Sequence, residues 1–165
     1  MAELNNGGET QLVVFNMENE EFACNINDVR EVLKMIRITP LPRSLDFVEG
    51  VINLRGEVIP VIDLRKRFAL SEAERNENNR IIIVEVEDRM VGLTVDSVTE
   101  VIRLGNKDIQ EAPQQVTDKQ AKLIKGVGKI NERLLIILDL NHILTSTEQI
   151  ALSDISQAGK ELVVD

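Results

Sequence analysis

Short apolar runs separated by polar punctuation occupy most of the chain, and few are long enough to be helices. Residues 12–17 are β-branched and apolar and predict a strand, Asn19-Glu20-Glu21 a turn, and residues 21–26 the returning strand. Residues 28–35 set Val29, Val32 and Leu33 at helical spacing behind Asn27 or Asp28 as a cap, which predicts a short helix. Pro40 and Pro42 end that segment in an extended stretch. Residues 50–54 and 58–64 read as two strands joined by Arg55-Gly56-Glu57. Residues 65–79 hold a short helical segment and an acidic, Asn-rich connector.

A second series follows in the same order. Strands are predicted at 81–86 and 90–95 around a turn at Asp88, then a short helical pattern over 97–104. A polar connector around Pro113 precedes strands at 126–130 and 134–140, and a short helix begins at Asn141. The end reads as an amphipathic helix capped by Thr147 and a tail.

The parallel order marks an internal repeat. Gly50-Val51 and Asp63-Leu64 recur as Gly126-Val127 and Asp139-Leu140 at an offset of 76. Ile26, Val29, Glu31 and Val32 match Val95, Val98, Glu100 and Val101 at an offset of 69. The difference between the offsets falls in the connector around Pro113. Short strand sets with one apolar face close into small barrels, because closure removes exposed edges. The expectation is a mainly β protein with two five-stranded barrels on a shared aliphatic core, short helices, and a groove between the lobes. Its divisions are a lead-in at 1–11, lobes at 12–79 and 80–145, and a C-terminal helix and tail at 146–165.

The repeat also serves as an internal control. Gly50 and Gly126 recur, which points to a backbone need where a strand begins. Asp63 and Asp139 recur just after a strand, where capping of a short helix is the plain role. The hairpin turns differ: Asn53-Leu54-Arg55-Gly56-Glu57 in one half, Lys129-Ile130-Asn131-Glu132-Arg133 in the other. Gly56 permits a positive φ, and Asn131 serves a similar turn one position earlier. Arg55 has no equivalent in the alignment of the halves. It is either a solvated turn residue, the weightier reading from the residues alone, or a cation presented to a partner's carboxylate. Val29 and Val32 are either core or the border of the groove. Cys24 reads as a small core residue and His142 as packed or solvated.

Composition narrows the chemistry. Aromatic residues make up 2%, so no stacking platforms for bases are available, and a net charge of -9 repels nucleic acid and anionic membrane. One Cys forms no internal disulfide, and one His supports neither a His-based metal site nor an obvious general base. The polar first residues do not form a signal peptide, and the apolar runs are too short to span a bilayer, so a cytoplasmic protein is expected. An aspartic dyad of Asp63 and Asp139 fails because no small-residue turn follows either Asp. Gly126-Val127-Gly128-Lys129 lacks the upstream Gly of a phosphate loop, and Ile130 replaces its Ser or Thr. The residues carry no catalytic constellation, cofactor site or metal site, and binding is the better class. A small hydrolase with an unrecognised site remains the weaker alternative.

The run from Gly50 through Asn53, Arg55 and Gly56 to Asp63-Leu64 resembles the central motif of the CheW-like family of bacterial chemotaxis coupling proteins. The resemblance extends from about Leu12 to Leu144, including Gly92-Leu93-Thr94-Val95-Asp96. It implies two five-stranded SH3-like barrels that can exchange terminal strands. It implies an adaptor without activity of its own, recruited to receptor arrays at the membrane without inserting there. Its partners would be the regulatory domain of the CheA histidine kinase and the cytoplasmic tip of methyl-accepting chemotaxis receptors. Kinase contact is then expected at Val29, Glu31 and Arg55, and a receptor groove at Val13, Ile26, Val32 and Val98. Gly50, Asn53 and Gly56 would form the motif turn. A separated CheW-like regulatory domain of a histidine kinase is the alternative within the same resemblance.

Overall fold

The computed structural model describes residues 8–42, 46–111 and 123–143. Eleven strands dominate them: β1 (Glu9–Met17), β2 (Glu20–Asn25), β3 (Val29–Lys34), β4 (Val48–Leu54), β5 (Glu57–Asp63), β6 (Arg80–Val86), β7 (Arg89–Val95), β8 (Ser97–Gly105), β9 (Ile109–Glu111), β10 (Ile124–Ile130) and β11 (Arg133–Leu138). One short helix, α1 (Leu64–Arg67), follows β5, with 3-10 turns at Ile26–Asp28, Asn106–Asp108 and Leu140–His142. The expected C-terminal helix and the connector at Pro113 lie outside the described residues.

Two sheets result, ordered β8-β1-β2-β11-β10-β9 and β3-β6-β7-β5-β4. They are copies of one another. In each, a tight hairpin (β1–β2 or β6–β7) joins a second hairpin (β10–β11 or β4–β5) through one parallel pair. The offset of 76 carries over to single hydrogen bonds: Asp63 N to Phe47 O recurs as Asp139 N to Leu123 O, both 2.8 Å. The three-residue β9 has its counterpart in the isolated bridge of Thr39 to Val51.

The lobe boundary expected at 79/80 is replaced by an interleaved one. The sheets trade their first hairpins: β1–β2 pairs with β8–β11, and β6–β7 pairs with β3–β5. Each lobe is therefore built from both halves of the chain. We call them the six-stranded and the five-stranded lobe.

The segments at 28–35 and 97–104, predicted as short helices, are strands instead. β3 and β8 each carry a bulge, at Val29/Glu31 against β6 and opposite Val14/Phe15 against β1. A bulge inserts one residue and reverses the alternation beyond it. Val29 and Val32 consequently oppose Val84 and Ile82, while Val98 and Val101 oppose Phe15 and Val13. All four partners belong to the shared core. A spacing of three on one face imitates a helix.

That shared core draws on both lobes, with Val13, Phe15, Met17, Phe22 and Leu138 from one and Ile62, Ile82, Val84 and Leu93 from the other. It is not purely aliphatic, because the few phenylalanines gather here. Phe15 and Phe22 stack at 6.0 Å, Phe22 and Phe68 tilt at 5.4 Å, and the Arg67 guanidinium lies 4.9 Å over the Phe47 ring. Each lobe keeps a smaller aliphatic core of its own, around Leu12, Val14 and Leu135 or around Ile52, Ile59 and Ile81.

Gly50 makes the bridge to Thr39 feasible. Its φ is 150°, and a Cβ there would stand 2.1 Å from Thr39 O. Gly126 meets the same need against β9, where a Cβ would stand 2.6 Å from Gln110 O. Pro60 fits an inner strand for a related reason. Its partner Val51 bonds Thr39 through both backbone groups and asks no N–H of Pro60.

Candidate functional site

The β4–β5 hairpin turns through Arg55 and Gly56, with φ of 51° and 86°. Positive φ at both central residues gives the turn the hand of the twisted strands. Asn53 Oδ1 accepts the Gly56 N–H at 2.9 Å and fixes the turn from within. In the other half Asn131, with φ 54°, stands where Arg55 does, so the two turns correspond.

The Arg55 guanidinium reaches across to β3 and pairs with Glu31 through two nitrogens. The arginine side chain stays 70% exposed and the glutamate 30%, so the pair lies at the surface as a fork beside an edge strand. The arginine hydrogen bond holds the Glu31 carboxyl below its ordinary range, with burial opposing weakly. Of the three expected kinase contacts, the structure thus joins Glu31 to Arg55 but turns Val29 to the opposite face. Val29 is half-buried against the shared core, whereas Glu31 opposes Ile83 of the lobe's own core.

The expected groove residues separate by depth. Val13 is buried within the shared core, Ile26 and Val98 pack half-buried against it, and Val32 is 40% exposed. Val101, the repeat partner of Val32, is 52% exposed and opposes Val13. It therefore extends the apolar rim on the second lobe. The offset of 69 already paired it with Val32 and was the signal for it.

Sequence reasoning also missed a second charged fork. Glu100 is the repeat partner of Glu31, and Arg133 binds it at 2.7 Å and Glu21 at 2.6 Å. Arg133 follows the β10–β11 turn, two positions beyond the counterpart of Arg55. Both lobes thus tie a hairpin arginine to the equivalent glutamate of the repeat, Glu31 or Glu100, by different routes.

The remaining ionisable candidates have structural roles. Asp63 accepts the Lys66 N–H and caps α1, and Asp139 accepts the Asn141 N–H and meets His142 Nδ1 at 2.7 Å. Burial pushes the Cys24 thiol up to about 12, with nearby Asp28 adding to it, which leaves the thiol protonated and inert. The chemistry on offer is surface recognition through two charged forks and an apolar rim.

Comparison with known proteins agrees with that arrangement. Residues 11–148 match the CheW-like domain family. The Chemotaxis protein CheW of Rhizobium meliloti (strain 1021) is 36% identical, the match covering 88% of this chain and 94% of that one. The Chemotaxis protein CheW of Bacillus subtilis (strain 168) is 38% identical over 87% of this chain and 90% of its own. The crystal structure of the scaffolding protein TtCheW from Thermoanaerobacter tengcongensis superposes with a TM-score of 0.79 at 37% identity, covering 86% of this chain and 96% of that one.

Proposed function

The chain belongs to the CheW-like family, and from that premise we propose that it is a chemotaxis adaptor linking methyl-accepting receptors to the CheA histidine kinase. The observation that carries the reading is Arg55, presented at a hairpin tip and held in place by Glu31 while remaining largely exposed. A preorganised, exposed guanidinium offers a partner two directed donors at small entropic cost. We assign Glu31 and Arg55 to the kinase regulatory domain, and the rim of Val32, Val98 and Ile26 to the receptor's helical tip. An adaptor of this kind performs no reaction. It holds two partners in fixed geometry, so that a receptor transition biases the kinase through differential contacts. It works in the cytoplasm and joins membrane-bound arrays through those contacts. No helix among the described residues is long and apolar enough to cross a membrane.

The test is Arg55→Ala in a reconstituted mixture of receptor, kinase and adaptor. Affinity for the kinase regulatory domain should fall about tenfold or more, with unchanged circular dichroism and weakened receptor control of the kinase. Unaltered affinity and control would remove Arg55 from the interface. A chain that captures another coupling protein but not the kinase domain would be a separated regulatory domain instead.

A further inference from the structure

The hairpin arginines of both lobes are already engaged, Arg55 by Glu31 and Arg133 by Glu21 and Glu100. Beside the second hairpin stand three further cations without such an anchor. Arg103 near the end of β8, Lys107 in the Asn106–Asp108 turn and Lys129 near the end of β10 line one open cleft of the six-stranded lobe. Among the described residues, none of the three side chains has an ion pair or a hydrogen bond. The chain as a whole carries a net charge of -9, so unpaired positive charge gathered in one place runs against its general balance.

The repeat shows that the fold does not require this charge. The offset of 76 sets Asn53 against Lys129, and Asn53 pins its own turn by accepting the Gly56 N–H. The offset of 69 sets Ile36 against Gly105. The five-stranded lobe thus has an uncharged amide and an apolar side chain where this cleft has a cation and a glycine. The cleft measures about 1240 Å³, above the usual range of a small-molecule pocket, and it is open to solvent. Buried Leu104 and half-buried Ile130 give it an apolar floor. β8, which supplies one wall, is an edge strand of its sheet. Such an edge offers its backbone to an added extended segment. Glu9 and Asp108 also stand on the lining, but neither pairs with the three cations, and the lining keeps a net positive charge.

We propose that this cleft docks an extended acidic segment of a partner protein, in which carboxylates alternate with aliphatic side chains. Alternate residues of an extended chain face opposite ways. The aliphatic side chains rest on Leu104 and Ile130, and the carboxylates meet Arg103, Lys107 and Lys129. Nucleic acid and anionic membrane fit less well, because they present a broad negative surface to an acidic chain. A short segment meets only the cleft, and salt screens it from charges farther off. The surface lies on the other lobe from the Arg55–Glu31 pair and adds a contact to those proposed there.

Fluorescence anisotropy of the full chain with a short labelled peptide that alternates Glu and Val tests this. The peptide should bind, and its affinity should fall about tenfold or more as salt rises from about 0.05 M to about 0.5 M. The same peptide with Gln in place of Glu should not bind. Arg103→Gln, Lys107→Gln and Lys129→Gln together should weaken binding about tenfold or more, with unchanged circular dichroism, whereas Arg55→Ala should leave it intact. If the triple variant loses its fold, Lys129→Gln alone carries the comparison, with a smaller loss expected. Amide resonances of residues 103–108 and 129–131 should move on binding. Failure of the acidic peptide to bind, equal binding of the Gln peptide, or binding untouched by the cleft variants would overturn the proposal. So would resonances that move at β3 and the β4–β5 turn instead. Capture by vesicles of phosphatidylserine in place of the peptide, or a dimer that the triple variant abolishes, would give the cleft to a membrane or to a second copy and overturn it as well.

Discussion

Single residues hold the architecture by two separable means, available space and backbone angle. Gly50 needs both: its φ is 150°, and the Thr39 carbonyl leaves no room for a methyl group. Gly56 has φ 86°, but nothing lies within 4 Å of where a Cβ would stand, so only the angle matters there. Gly50→Ala should therefore cost about 3 kcal/mol or more, and Gly56→Ala about 1 kcal/mol, as read by urea denaturation. Equal costs would mean that the Thr39 bridge is not what requires Gly50. Asp96 works through charge. Burial pushes its carboxyl up, but hydrogen bonds from Arg65, at 2.5 and 2.8 Å, and from the Glu18 N–H, at 2.9 Å, outweigh burial and hold it below its ordinary 3.8. A carboxyl depressed in the folded state contributes fully above the unfolded value and loses that contribution as pH falls through the folded one. Asp96→Asn should lower stability by about 1–2 kcal/mol at neutral pH, and the deficit should vanish in acid, below the folded value. A deficit that persists unchanged there would assign the effect to packing.

Elements show where sequence was legible and where it was not. Hairpins were readable because their turns are local: Arg55-Gly56 and Asn131 reverse the chain within a few residues, and the caps at Asp63 and Asp139 act within three. β3 and β8 were misread because a bulge is invisible without the partner strand. Its inserted residue converts the period of two into the three-residue spacing of Val29 and Val32, and of Val98 and Val101. The same blindness affected the site. Glu31 is expected only through the family resemblance, and its partnership with Arg55 depends on β3 and β4 standing at the two edges of one sheet. The Arg133 fork, displaced by two positions from its counterpart, lay outside any fixed offset. A helix would bury Val29 and Val32 alike, whereas the observed strand half-buries Val29 and leaves Val32 40% exposed. Val29→Asp should cost about 2 kcal/mol or more, and Val32→Asp within about 0.5 kcal/mol, while Val32→Asp alone weakens receptor-tip binding without loss of fold. Matching losses of stability in chemical denaturation would contradict the bulged strand.

At the scale of the molecule, the exchange of hairpins decides how the protein can come apart. Neither half of the chain holds a complete sheet: residues 8–79 contain β1–β2 without their neighbours β8 and β11, and β3–β5 without β6 and β7. The shared core adds to this interdependence, since Phe22 from one half packs between Phe15 and Phe68 while Ile82 and Val84 arrive from the other. Two lobes interlocked in this way should unfold in one cooperative step, which suits the proposed adaptor role. The covalent link between the halves is the connector at 71–79, which Arg75, Arg65 and Asn79 fasten by side-chain contacts. Residues 1–72 and 73–165, made as separate polypeptides, should each lack protected strands when alone. Mixed together, they should rebuild both sheets, with a stability that rises about 1.4 kcal/mol per tenfold increase in concentration. Amide exchange on each piece and on the mixture reads this out. A piece that folds by itself into a protected five-stranded sheet would show that the lobes are sequential after all, and that the exchange of β1–β2 for β6–β7 does not govern the fold.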